Sequence, residues 1–474
     1  MTIGWIGFHY TFPSNSSAFF LVCCAGALLS SSSVSAFSQP AATVPRSSSS
    51  YLHQFAKTID VVDIYTPRDV YSMEEWATQY GMKKAEGVEL SSTDDWDYSL
   101  TTTTPIGAGQ TILFVPSDIV LNSAAVRREY GAMLQHAEAA ITKIDEVSKN
   151  PQGADRRLSL FYLMVKLLVE YERGHDSAYH PWLMSLPRQF YNGVSMTRAC
   201  FRCLPPYAGW LTSNERLSYS HFARALRNDE NTGFYVGLSE ETIYNDDVVK
   251  WAYNVALTRY HEAWMPECTR VIGPMADMIN HSSQHNCEIT VDYEGNVNVV
   301  ALYDLDAGSP LTISLGDPTN PTPIFAQYGF LPRDCPTIFC KAMHLEKRIQ
   351  ELGYDFSELL FQTETGEITP KVWDIFLYGI LHKSDPTGAA QQFYMACIND
   401  DEDTKGQYHQ EYFAYTLDAL KTHVYSIMND AENLTMKAQT YDLSMHPRVP
   451  VIVAHNQLVS QTFAITAALL EQMG

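Results

Sequence analysis

Neither aspartate nor glutamate occurs in the first fifty-nine residues, and Asp60 is the first acidic side chain. Such a stretch reads as an address. Ala18 to Leu29 is an apolar core of signal-peptide length, too short for a comfortable span of ~20 residues, and Val34-Ser35-Ala36 supplies small residues for cleavage. Residues 1–36 are therefore expected to act as a signal peptide, although Lys and Arg are missing ahead of the apolar core. Residues 37–59 continue as a Ser-rich run with Arg46 and Lys57, the composition of a transit peptide. Beyond them no long uncharged apolar run appears, which excludes a helical membrane span in a mature chain. Basic residues are scarce, 32 against 54 acidic, and the net charge of −22 repels phosphate backbones and argues against nucleic-acid binding. Cysteines number nine. Cys23 and Cys24 leave with the presequence, and the odd remainder has no regular framework, so a disulfide scaffold is not expected and a reducing compartment fits better. Cys200-Phe201-Arg202-Cys203 stands without a second pair at zinc spacing.

What is present is ordinary globular composition over 474 residues, 46% hydrophobic and 18% charged, enough for one large core or several smaller ones. Ile106-Gly107-Ala108-Gly109 turns the chain into Thr111 to Val115, a β-branched run stopped by Pro116. From about 123 to 250 the pattern is mainly helical, and Leu158 to Glu170 is apolar nearly all round, as in a buried helix. Alternation returns at Cys287 to Tyr293; Glu294-Gly295-Asn296 can turn it into Val297 to Tyr303, and Asp306-Ala307-Gly308 into Leu311 to Ser314. A small antiparallel meander is predicted. From about His344 onward helical spacing dominates, and Val459, Phe463, Ala467 and Leu470 form one apolar face near the end.

Asp277-Met278-Ile279-Asn280-His281-Ser282, then the hairpin pattern, the Ala307-Gly308 turn and Tyr328-Gly329-Phe330, follow one another in an order that resembles a SET domain. Together with the helical insertion and helical tail, the layout is similar to the Rubisco large-subunit methyltransferase and actin-histidine methyltransferase group. The resemblance implies an α+β fold: a β-rich SET fold with a knot-like threaded loop over 60–342, split by a helical insertion at about 123–250. A C-terminal all-helical substrate-binding domain would occupy 343–474. It implies S-adenosyl-L-methionine as cofactor and a lysine of a protein substrate as methyl acceptor.

By that resemblance Asn280 and His281 grip the cofactor's adenine and Arg259 lies near the cofactor carboxylate or the site wall. The carbonyls of Thr258 and Asp277 point toward the incoming amine, Leu315 lines the channel, and Tyr328 places its hydroxyl beside the reacting methyl. Asn280-His281-Ser282 also matches a glycosylation sequon, which the SET reading makes fortuitous and buried. Asp277, His281 and His285, four apart, could ligate a metal if they lay on a helix, but the β-rich context points to no metal.

Departures from the family pattern accompany the match. Where relatives carry Gly-x-Gly, this chain has Trp96-Asp97-Tyr98-Ser99-Leu100, and a Cβ there can block close approach to a cofactor. Leu315 stands where relatives commonly carry Tyr, and Pro318, Pro321 and Pro323 are expected to stiffen a segment that is helix-forming in relatives. The leading expectation is a protein-lysine N-methyltransferase. Alternatives are a catalytically weak SET-fold partner-binding module and a protein-histidine methyltransferase. Phe37 directly after the small-residue site resembles the bipartite plastid presequence of algae with secondary plastids, so the expected address is the plastid, with secretion as the alternative.

Overall fold

The computed structural model describes residues 59–92, 94, 96–144, 151–228, 233, 236–265, 267–317, 319–332, 334–339 and 342–474. The presequence readings, apart from Ile59, and the Pro318 reading fall outside them. Every described residue belongs to one compact unit running from Lys57 to Gly474.

Five short strands precede the helical stretch: β1 (Lys83–Lys84), β2 (Val88–Ser92), β3 (Tyr98–Thr102), β4 (Thr111–Val115) and β5 (Leu121–Asn122). After it come β6 (His261–Met265), β7 (Glu267–Ile272), β8 (Asn280–His281), β9 (Cys287–Val291), β10 (Val297–Ala301) and β11 (Thr312–Ile313). Two more, β12 (Thr337–Phe339) and β13 (Leu360–Gln362), pair with each other farther on. The largest sheet is four-stranded in the order β1-β4-β10-β9, all antiparallel. Its β9–β10 hairpin turns where Gly295 takes φ 87°, a left-handed value that favours glycine.

The meander expectation fails at its third strand. β11 does not continue the antiparallel run; it pairs in parallel with β8, Thr312 opposite Asn280 and Ile313 opposite His281. The Asn286 side chain explains the departure. Its oxygen accepts from the Thr312 N–H at 2.8 Å and its amide donates to the Pro310 carbonyl at 2.9 Å, while the Leu311 N–H goes to the Leu100 carbonyl. The returning segment is thus drawn away from β10 to a place between β3 and β8.

Between β5 and β6 the described residues are mainly helical. The Pro151–Arg173 helix carries Leu160 to Leu168 almost wholly buried, and its one buried carboxylate, Glu170, is satisfied by Lys166, Arg173 and the Ser177 hydroxyl at 2.7–2.9 Å. The Asp246–Arg259 helix starts where the Asn245 side chain accepts from the Asp247 and Val248 N–H groups. It packs its apolar length against the Pro151–Arg173 helix and delivers Arg259 at its last turn.

The C-terminal part is helical apart from β13 and has its own core, in which the Phe361 and Phe463 rings lie 4.7 Å apart. Val459, Phe463, Ala467 and Leu470 all face inward from the Val449–Gln472 helix. A third apolar cluster joins this part to the rest: Cys200 and Cys203 of the insertion meet Phe325, Val449 and Ile452.

Two histidines in these cores make stability depend on acidity. Burial pushes His423 and His455 down from 6.5 to about 4, so both rings are neutral in the folded chain. Between about pH 4 and 6.5 the unfolded chain binds more protons, so their contribution is fully present above about 6.5 and drains away as pH falls toward 4. Each displacement corresponds at full effect to a loss on the order of 3 kcal/mol. Chemical denaturation is expected to show a clearly lower midpoint at about pH 5 than at about pH 7; equal midpoints would mean that the two rings are not held neutral.

Candidate active site

The site residues singled out in the sequence fall on four short pieces of chain, gathered where β7, β8 and β11 meet two helix ends. Gly273 to Ile279 is a tight turn stabilised by the Asp277 N–H to the Gly273 carbonyl and the Met278 N–H to the Met275 carbonyl. Met275 sits inside it fully buried at φ 74°, a left-handed value that a side chain tolerates only where its surroundings hold it.

Asp277 is buried at 7% exposure. Its Oδ2 accepts from the Trp182 indole N–H at 3.2 Å, whereas its Oδ1 has no hydrogen-bond partner. Burial raises its pKa, opposed by the nearby Arg259 and Arg68 guanidiniums and the indole. The Arg259 Nη1 donates to the Asp277 carbonyl oxygen at 2.6 Å. That oxygen is one the resemblance directs toward an amine, so here it already holds a guanidinium. Thr258, half-buried, turns its hydroxyl back to the Asn254 carbonyl at 2.8 Å.

Arg68, which no sequence signal marked, ties three segments together. Its Nε donates to the Ser185 carbonyl and its Nη1 to the Trp96 carbonyl at 2.7 and 2.9 Å, and its Nη2 lies 3.1 Å from the Met278 sulfur. The guanidinium also lies 5.2 Å from the Tyr98 ring centre. Burial lowers its pKa to about 10, which leaves it charged at neutral pH. Trp96 to Leu100 is thereby fixed beside the Asp277 turn as the start of β3, with Tyr98 and Leu100 directed into the core. The missing glycines are replaced by a strand with two inward anchors. Arg68 pairs with a carbonyl and an aromatic face, partners with no fixed spacing in a sequence, which is why it escaped notice.

The second half of the site begins four residues after Asp277. His281 accepts the Leu315 N–H at its Nδ1, 3.0 Å away, which puts the ring proton on Nε2; that nitrogen is buried and has no partner. Burial lowers the His281 pKa, with His285 adding to this and Asp334 opposing it. Leu315 contributes its backbone to His281 and its side chain to the main core. Asn280, one position earlier on β8, points the other way and is exposed. The expectation that the Asn280-His281-Ser282 sequon is buried is therefore corrected at its asparagine. Asp334, a second residue with no sequence signal, accepts from the Ser282 hydroxyl at 2.6 Å and the Ser283 N–H at 2.8 Å and so closes the loop after β8.

Tyr328 ends the Pro321–Tyr328 helix, half-buried, its ring 6.1 Å from Phe330, which in turn lies 5.9 Å from His281. Burial pushes its phenol well above the ordinary value, helped by Tyr260 and Glu215 and opposed by Arg270, so the hydroxyl keeps its proton. That this segment is a helix corrects the expectation drawn from Pro321 and Pro323. Both fall in the first turn, where a missing N–H costs no intrahelical bond, and the Asn320 side chain caps the Thr322 N–H at 3.1 Å.

Arg259 and Asp277 are thus in direct contact, as are His281 and Leu315, and Tyr328 reaches His281 through Phe330. Asp277, His281 and His285 lie on a 3-10 turn, a strand and a loop, not on one helix, and among the described residues no three His, Cys, Asp or Glu side chains converge as metal ligands.

A family model described as the SET domain matches residues 97–316. The match begins inside the segment that lacks the glycines and ends twelve residues before Tyr328. No curated protein matches the chain. Among solved structures it is similar to Rubisco LSMT bound to sinefungin and monomethyllysine, with a TM-score of 0.54 and 13% identity over 85% of this chain and 92% of that one. The SET domain of LSMT bound to lysine and AdoHcy gives 0.53 and 14% over 85% and 91%, and Rubisco LSMT bound to AdoMet gives 0.51 and 14% over 86% and 92%. At such low identity the likeness establishes a shared fold alone.

Proposed function

We propose that this protein is an S-adenosylmethionine-dependent protein-lysine N-methyltransferase. The observation that carries the reading is the parallel β8–β11 pair inside the SET-matching segment, whose His281 ring meets Phe330, which in turn meets the Tyr328 ring. Structures of similar fold are described as bound to AdoMet, AdoHcy or sinefungin and to lysine or monomethyllysine.

The residues fit such a cofactor. The buried Nε2–H of His281 has no partner, the exposed Asn280 side chain lies on the opposite face of β8, and Arg259 offers a cation two residues before β6; a donor, an open amide and a guanidinium suit an adenine and a carboxylate. When bound, the cofactor supplies an electrophilic sulfonium methyl. The remainder falls to the chain. A lysine ammonium has no lone pair, and the half-buried aromatic wall of Tyr328, Phe330 and His281 disfavours its charge and so favours the neutral amine. The protonated Tyr328 hydroxyl orders the reacting groups, and alignment of amine and methyl removes an entropic barrier of roughly 7 to 11 kcal/mol at best.

A second reading has its own observation. Arg259 already engages the Asp277 carbonyl, and β3 fills the place of the Gly-x-Gly segment, as suits a SET scaffold that binds a partner without catalysis. Calorimetric titration of the chain from about Asp60 with S-adenosylhomocysteine separates the two. Saturable binding is expected, weakened about tenfold or more in Asn280→Ala; a folded protein with no heat of binding at millimolar ligand would remove the enzyme reading. For the address we propose the plastid, on the acid-free presequence and its Phe37.

A further inference from the structure

Behind Tyr328, on the side of the helical insertion, lies a cavity of about 160 Å³ that the reading above does not use. The Pro151–Arg173 helix lends it Arg156 and Arg157, the Pro206–Arg227 helix Glu215 and Ser218, and the Asp246–Arg259 helix Tyr253. Tyr260, Arg270 of β7 and Gln327, the neighbour of Tyr328, complete the charged and polar wall. Three guanidiniums converging in a chain of net charge −22 run against its composition.

The arginines are set in place. Arg270 is 8% exposed, lies 4.1 Å from the Tyr260 ring centre and reaches Glu262 at 3.4 Å; Arg156 reaches the other oxygen of Glu262, also at 3.4 Å. Glu262 is thus shared by two of the arginines. Tyr253 is fully buried, and its hydroxyl has only the Ser218 hydroxyl of the same wall near it, without a well-formed hydrogen bond, which leaves it able to donate to a group in the cavity.

We propose that this cavity binds a small carboxylate anion, held by Arg157 and Arg270 with the Tyr253 hydroxyl as a donor. The volume admits several waters or one small organic acid. Glu215 does not oppose this at neutral pH. Burial raises its carboxyl to about 7 against the pull of Arg270 and Arg157, so a large share of it is the uncharged acid, itself a donor. An entering anion favours that protonated form further, so binding takes up a proton. The ligand is either a free acid or an acidic side chain presented by a polypeptide. The proposal is independent of the methyltransferase reading, since it invokes neither Tyr328 nor a cofactor.

The test is calorimetry on the full chain with succinate as probe. Saturable binding is expected, weakened roughly three- to tenfold in Tyr253→Phe and about ten- to a hundredfold in Arg157→Gln. Affinity should fall by up to about tenfold per pH unit above about 7, and Glu215→Gln should flatten that slope while preserving binding. Should Arg157→Gln fail to fold, the near-isosteric Tyr253→Phe and the pH profile still decide. No saturable binding, equal affinity in Tyr253→Phe, or tighter binding of diaminobutane than of succinate would overturn the proposal. Displacement of succinate by acetyl-aspartate amide at lower concentration points to a polypeptide side chain, and weaker displacement to a free acid; both support a carboxylate site.

Discussion

Replacing Tyr328 by Phe is expected to lower methyl transfer by roughly a hundredfold to a thousandfold while leaving the affinity for S-adenosylhomocysteine within about threefold. The substitution removes one oxygen and keeps the ring that stands 6.1 Å from Phe330. Burial holds the phenol protonated, so what is lost is a neutral, oriented hydroxyl and not a charge. Single-turnover methylation of a lysine-bearing substrate, measured beside calorimetric binding, separates this from a general disturbance of the site. A rate unchanged in Tyr328→Phe would mean that the hydroxyl takes no part, and the residue would have to be read as packing.

The next residue should be as sensitive for a different reason. Gly329 caps the Pro321–Tyr328 helix at φ 83°, and a Cβ there would lie 2.4 Å from both the Asn192 nitrogen and the Tyr191 carbonyl carbon. Those atoms cannot retreat easily, because Asn192 is fully buried and its amide donates to the Gln327 carbonyl and to Asn254, each at 3.0 Å. Gly329→Ala combines a left-handed backbone penalty with overpacking, together about 2 to 5 kcal/mol. Gly109 is the control. It has φ 77° but open space around its Cβ position, so Gly109→Ala should cost only about 1 to 2 kcal/mol. Denaturation of the two variants side by side checks the contrast, and equal losses would show that the insertion does not clamp the helix end.

The fold was legible in the sequence where one local pattern decides one element. Thr111 to Val115 is a strand because it is a run of β-branched and aromatic residues that Pro116 stops, and Leu158 to Glu170 is a buried helix because it is apolar nearly all round. Legibility ended where distant side chains choose the partner. The course of β11 depends on Asn286, twenty-six residues away, and the helix at Pro321 depends on a cap from Asn320 and on prolines placed before any intrahelical bond is due. At the site, Asn280, His281, Asp277, Arg259, Thr258, Leu315 and Tyr328 could be named because they sit in a recognisable order. Arg68 and Asp334 could not, since each acts on a loop from a segment with no motif of its own.

The threefold grip of Arg68 also bears on how the chain acquires its working form. Its contact with Met278 spans 210 residues, and the β8–β11 pair closes a loop that contains the β9–β10 hairpin. Contacts of such long range are made slowly, because the loop entropy is lost before they return any stabilisation. The helical parts, each with local pairings, can therefore reach native helicity well before this corner is assembled. A refolding chain would then pass through a species that looks complete by circular dichroism yet lacks a competent site, and recovery of ligand binding should lag behind recovery of helix signal.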